Sequence, residues 1–282
     1  MPDQSSLDHV VAAMRTQADA IRAREAGARR ARDPEDVHQM RVAVRRLRAI
    51  LRASRSLFAQ DWVEDLRREL EWLGAALGRV RDLDVLSAYL HSQLRTRPPG
   101  GGVARRRLGR RLASDRDRAA AALRAALDGR RYARLLSRLD VALVSPPFQA
   151  DSAPLADRAA AEFAKLRKAV KKLPKHPSAE ELHQIRIKVK HARYAAELAQ
   201  PLVGRRAERF IDKAKRLQDI LGEHQDAVIA DAYVRRARGG SPGARLLAKW
   251  LGARQHDRRE EARADFDEQW PRLKRRGRRA WC

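Results

Sequence analysis

Apolar residues recur three and four positions apart along most of this chain, while β-branched runs and alternating strand-like patterns are nearly absent. Alanine, leucine and arginine dominate the intervals, and helix-forming residues at helical period make the segments between breakers read as helices, so the predicted fold class is all-α. The breakers stand at Asp33-Pro34, Arg97 to Gly102, Asp128-Gly129, Ser145 to Pro147, Leu173 to Pro177, Pro201 to Gly204 and Gly239 to Gly243. They leave long helices joined by short turns, the connection that makes sequential helices antiparallel.

The pattern also repeats. Glu35 to Arg48 aligns without a gap to Glu180 to Arg193, sharing Glu, His, Gln, Arg, Val and Arg at identical positions, and Leu77-Gly78 to Asp82 is matched downstream by Leu221-Gly222 to Asp226. The expected organisation is therefore a tandem duplication with its seam near Ser145 to Pro154: a first helical bundle over 1–147, a second over 154–271, and a basic tail over 272–282. Both repeated helices begin alike. Asp33 offers an N-cap with Pro34 at the first helical position, and Ser178 with Glu181 has the spacing of a capping box, in which each residue satisfies a backbone N–H of the other.

At about 100° per residue, Val37, Met40, Val44, Leu47 and Leu51 form one stripe of the first repeated helix, as do Leu182, Ile185, Val189, Ala192 and Ala196 of the second. Both stripes are assigned to the core. Beside the first runs a row of His38, Arg41, Arg45, Arg48 and Arg52; beside the second runs His183, Arg186, Lys190 and Arg193. Cations at successive turns with no acid between them repel one another, and a helix built only for stability would place Glu four residues before them. An anionic partner is expected to compensate. Arginine forks suit phosphate oxygens, and one-turn spacing suits a ligand with phosphates repeated along a line. The bland alternative is a solvated basic face, or one neutralised internally by Asp82, Asp84 and Asp226.

Composition strengthens the anionic reading. The 282 residues carry 62 Lys and Arg against 36 Asp and Glu, a formal net charge of +26. Such a chain repels itself and gains by binding a polyanion and releasing its counterions. A hydrophobic fraction of 44% is still that of a folding chain. The single cysteine, Cys282, excludes a disulfide framework and a cysteine-based metal site. Met1 to Ala13 has no charged-then-apolar leader, and no window approaches 18 uninterrupted apolar residues, so a soluble cytoplasmic protein is expected.

The His38-Gln-Met-Arg41-Val-x-x-Arg45-Arg46-Leu-Arg48 helix, its His183-Gln-Ile-Arg186 counterpart and the two Leu-Gly-x-x-x-Asp segments resemble the repeated signature of the CHAD domains, the conserved histidine α-helical domains. The resemblance spans essentially the whole chain. It implies two four-helix bundles related by pseudo-twofold symmetry, with the two His-bearing helices facing a shared basic groove. It also implies binding of inorganic polyphosphate and association with polyphosphate granules. The second copy departs from the first, with Lys190-His191-Ala192 standing opposite Arg45-Arg46-Leu47. The Glu-x-Glu-x-Lys motif of the triphosphate-tunnel domain often fused to CHAD domains is absent, so a stand-alone, non-catalytic member is expected.

Other chemistries have less to stand on. There is no His-Glu-x-x-His, Cys-x-x-Cys or Arg-His-Gly motif, so neither a metal, a cofactor nor phosphoryl transfer is expected of His38, His183, His191, His224, Asp82, Glu223 or Asp226. Nucleic acid is the serious rival, because phosphate contacts look alike for both polymers. Aromatic residues make up only 5% of the chain, and Trp62, Trp72 and Phe210 sit in apolar stripes, which leaves few platforms for stacking bases. The arginine-rich stretches Ala104 to Arg111 and Arg272 to Arg279 read as solvated charge.

Overall fold

The computed structural model describes residues 4–96, 99, 101–149, 154–237 and 239–282. Parts of the expected breakers and seam, namely Arg97, Pro98, Gly100 and residues 150–153, lie outside them, as does Arg238. The described residues form helices α1 (Gln4–Arg30), α2 (Pro34–Ala53), α3 (Gln60–Leu94), α4 (Gly101–Asp128), α5 (Arg130–Val144), α6 (Leu155–Lys171), α7 (Ala179–Val203), α8 (Arg205–Ala237) and α9 (Pro242–Trp281), with one 3-10 turn at Arg55–Leu57. The only β-type pairing among them is an isolated bridge between Phe58 and Phe148.

The chain divides into two compact units. One comprises residues 1–85 and 114–155, the other 86–113 and 156–282. These differ from the expected halves 1–147 and 154–271, and the reason is helix length. At about 1.5 Å per residue, α3 and α4 run to roughly 50 Å and 40 Å, so each outlasts the bundle it starts in. Their connected ends carry Leu86, Leu90, Ala104, Leu108 and Leu112, all buried. In the second unit Tyr89 of α3 accepts a hydrogen bond from the buried Gln255 of α9, and the Arg258 guanidinium lies 4.3 Å from the Tyr89 ring centroid.

The helix starts are as the sequence predicts. The Asp33 carboxylate accepts from the Glu35 N–H at 2.8 Å. At α7, Glu181 N–H donates to Ser178 Oγ at 3.2 Å while Ser178 N–H donates to the Glu181 carboxylate at 2.7 Å. Hydrogen bonds from Ser178 to the charged form hold the Glu181 pKa below its ordinary value. Pro201 is tolerated in the last turn of α7, which ends at Gly204 with φ 67°, a conformation glycine adopts without a Cβ clash.

The C-terminal stretch requires a correction. Residues 272–282 are not a loose basic tail: α9 continues through Pro271 to Trp281. A proline inside a helix removes one backbone bond, and here packing outweighs that loss. Trp270, Leu273, Gly277 and Trp281 fall on one face, with Leu273 fully buried and both tryptophans packed on the core around Phe163 and Phe210. The Trp281 ring meets Phe210 edge-on at 5.8 Å, and Phe210 meets Phe163 at 5.4 Å. Gly277 lies so close to Phe163 that any Cβ there would overlap its ring.

Candidate polyanion-binding rows

Both core stripes are sealed. Val37, Met40, Val44, Leu47 and Leu51 on α2, and Leu182, Ile185, Val189, Ala192 and Ala196 on α7, are each no more than 2% exposed. That burial fixes the rotation of the two helices, and with it the direction of the adjacent basic rows. His38, Arg41, Arg45, Arg48 and Arg52 are half-buried along α2, as are His183, Arg186 and Lys190 along α7. The rows thus lie at the margin of the core, with long apolar stems against the protein and cationic ends toward its surface.

The row on α2 rests on α3. Arg41 pairs with Asp82 at 3.5 Å and Arg48 with Glu71 at 3.0 Å, and both acids are well exposed. Exposed pairs of this kind contribute only about 0–1 kcal/mol, so they hold the two guanidinium groups in place only weakly. Asp84, by contrast, is almost wholly enclosed and pairs with Arg116 of α4 at 3.0 Å. Arg116 also donates to the Ala31 carbonyl, so this acid closes the end of α1 within the first unit.

The recurring glycine of the Leu-Gly-x-x-x-Asp segments has a local reason. A Cβ at Gly78 would overlap Arg41 Nη1, so only glycine lets that guanidinium lie across α3. At the matching Gly222 the demand is weaker, since a Cβ would stand an ordinary 3.5 Å from Arg186 Nη2.

The two histidines have different neighbours. Burial, together with Arg81, Arg45 and Arg41, pulls the His38 pKa below its ordinary value, against the opposing pull of Glu35. His38 is therefore neutral near pH 7 and gains affinity for a proton when an anion offsets those arginines. Arg81, from α3, acts on His38 more strongly than either row arginine. Nothing in the pattern of α2 marks it, because it belongs to a different helix. At the matching position of the second repeat stands Gln225, whose amide oxygen lies 3.0 Å from His183 Nδ1.

Arg193 is a second correction. Expected to extend the α7 row, it is 5% exposed and turned inward. Its guanidinium donates to Glu197 at 2.6 Å and to Gln218 at 3.1 Å, and lies 4.2 Å from the Tyr194 ring centroid. Arg193 braces α7 against α8 instead of meeting solvent. Among the described residues no group of three His, Cys, Asp or Glu side chains is arranged to hold a metal ion, and no helix is long and apolar enough to cross a membrane.

Two capped, His-bearing helices, each with a cationic row beside a buried stripe, define the class of this all-α protein. The chain belongs to the CHAD domain family, whose pattern matches residues 12–235. Two uncharacterized proteins of Mycobacterium tuberculosis, from strains CDC 1551 / Oshkosh and ATCC 25618 / H37Rv, are each 36% identical to it over 216 residues, covering 70% of this chain and 39% of theirs. The chain thus spans about two fifths of the length of these curated relatives. Among solved structures it resembles PptA from Streptomyces chartreusis, with 26% identity, a TM-score of 0.75, and coverage of 94% of this chain and 98% of that one. The CHAD domain from the plant Ricinus communis shares the fold, with 23% identity, a TM-score of 0.73, and coverage of 94% and 90%.

Proposed function

We propose that this chain is a non-catalytic binding protein for inorganic polyphosphate, acting in the cytoplasm and at polyphosphate granules. The observation that carries this reading is the pair of basic rows flanking fully buried stripes, on α2 and again on α7, at one-turn spacing. A linear chain of phosphates meets successive cations along such a row. Each contact is modest, but contacts to one polymer reinforce one another because each later contact is intramolecular, so affinity rises with polymer length.

Competition distinguishes polyphosphate from nucleic acid. At near-physiological salt, long-chain polyphosphate is expected to displace a labelled polyphosphate probe, whereas equal phosphate concentrations of duplex and single-stranded DNA leave it bound. Equal displacement by DNA would make this chain a general polyanion or nucleic-acid binder.

The glycine of the first segment supplies a second test. Gly78→Ala gains helix propensity of about 0.5–1 kcal/mol, but its methyl group must push the Arg41 guanidinium off α3. We expect thermal stability to hold or rise while polyphosphate affinity falls several-fold. Gly222→Ala, where the added methyl meets only ordinary contact, should leave affinity unchanged. Equal binding by both variants would show that the placement of Arg41 is irrelevant to capture.

A further inference from the structure

The second unit has another concentration of positive charge, apart from the His183 row. Between α8 and α9 lies a cavity of about 400 Å³, lined by Asp231, Arg235, Arg245, Ala248, Lys249 and Gly252. No residue of α7 contributes to it. Along α8 it stands six to ten residues beyond Gln225, about 9–15 Å at the rise of a helix.

Three cations therefore line a cavity that holds one carboxylate, and that carboxylate is already engaged. Asp231 is 7% exposed. It accepts from Arg235 Nε at 3.1 Å and pairs with Arg259 at 3.5 Å. This buried acid is shared by Arg235 and Arg259, so it does not cancel the charge of Arg245 and Lys249. Arg245, in the first turn of α9, is held in turn by donating to the Gly240 carbonyl. Lys249 has no ion-pair partner among the described residues. The start of α9 adds the partial positive charge of a helix N-terminus. Gly252 borders the cavity: a Cβ there would make only ordinary contact, 3.6 Å from Asp231 Oδ1, whereas a longer side chain would occupy the space.

We infer that this cavity is a second anion site, one that takes a single compact phosphate anion such as pyrophosphate instead of a length of polymer. Its concavity and net positive lining suit a small multivalent phosphate, for which fixed guanidinium forks are the favoured donors. It has no aromatic wall on which a nucleobase could stack, which argues against a nucleotide. The inference does not depend on polyphosphate capture by the α2 and α7 rows.

Titration of the full chain with pyrophosphate, followed by calorimetry and phosphorus NMR, tests it. The unaltered chain should bind one equivalent at this site. Arg245→Glu with Lys249→Glu, and separately Gly252→Leu, should each weaken that binding at least tenfold, while His183→Ala with Arg186→Ala and Lys190→Ala leaves it unchanged. The exposed Lys249→Glu alone, whose fold is not at risk, should weaken it several-fold. Absence of pyrophosphate binding at millimolar concentration, undiminished binding by the Lys249 variant, or loss in the α7-row variant would each overturn the site. Loss of long-chain binding in the α7-row variant with pyrophosphate retained bears on the polymer rows alone, so the two readings fail separately.

Discussion

Replacing Arg41, Arg45, Arg186 and Lys190 with alanine is expected to lower affinity for long-chain polyphosphate by about a hundredfold while the helices stay folded. All four side chains lie beside the buried stripes and not within them, so truncation opens no cavity in the core. The Arg41 pair with Asp82 is exposed, and its loss costs a fraction of a kcal/mol, against which removal of like charges from each row is favourable. On the binding side, four phosphate contacts at about 0.7 kcal/mol each sum to about 2.8 kcal/mol, which is a hundredfold in affinity. The dependence of affinity on salt should flatten as well, because fewer counterions are released per polymer bound. Circular dichroism and thermal melting check the fold, and a polyphosphate titration checks affinity. Unchanged affinity in the folded quadruple variant would remove these rows from the function.

That prediction depends on features the sequence displays openly. Helix starts, core stripes and the phase of the basic rows all follow from local chemistry: a cap side chain bonds a backbone N–H two or three residues away, and a stripe repeats every three or four residues. What could not be read depended on neighbours from elsewhere in the chain. Arg48 and Arg193 stand at equivalent places in the two repeats, yet Arg48 stays at the surface and Arg193 is buried. The difference is that residues 192–196 of α7 are buried consecutively, so that part of the helix is covered on all sides and its row has no surface to reach. Arg81 and Gln225 carry no local signal, because what distinguishes them is the histidine of another helix. The C-terminal helix is a different case. Trp270, Leu273, Gly277 and Trp281 already have helical spacing, but the proline and the arginines around them mask it, and only the Phe163 and Phe210 rings show what that stripe packs against.

Acidification should destabilise the second unit through His224, and substitution of that residue should abolish the effect. His224, on α8, is 1% exposed, and its Nε2 is buried without a hydrogen-bond partner. Burial, then Arg263 and Arg259 of α9, lower its pKa from 6.5 to about 4, with Glu260 opposing. Arg263 cannot easily swing away, because it donates to the Pro177 carbonyl at 3.1 Å and pairs with Glu260 at 2.8 Å. The folded chain therefore keeps this imidazole neutral over a range in which the unfolded chain protonates it. Where the unfolded state binds more protons, stability falls as pH falls. The loss begins near pH 6.5 and approaches about 3 kcal/mol near pH 4, at about 1.4 kcal/mol per pH unit of difference. Carboxylates titrate in the lower part of this range too, so the informative quantity is the difference between the protein and His224→Leu. Leucine removes both the unpaired nitrogen and the proton site while keeping much of the volume, so at pH 7 the two should be about equally stable. By pH 4 the variant should be the more stable by about 3 kcal/mol, measured by urea unfolding at intervals from pH 7 to pH 4. A difference that stays constant across that range would mean that His224 is protonated as readily in the folded chain as in the unfolded one.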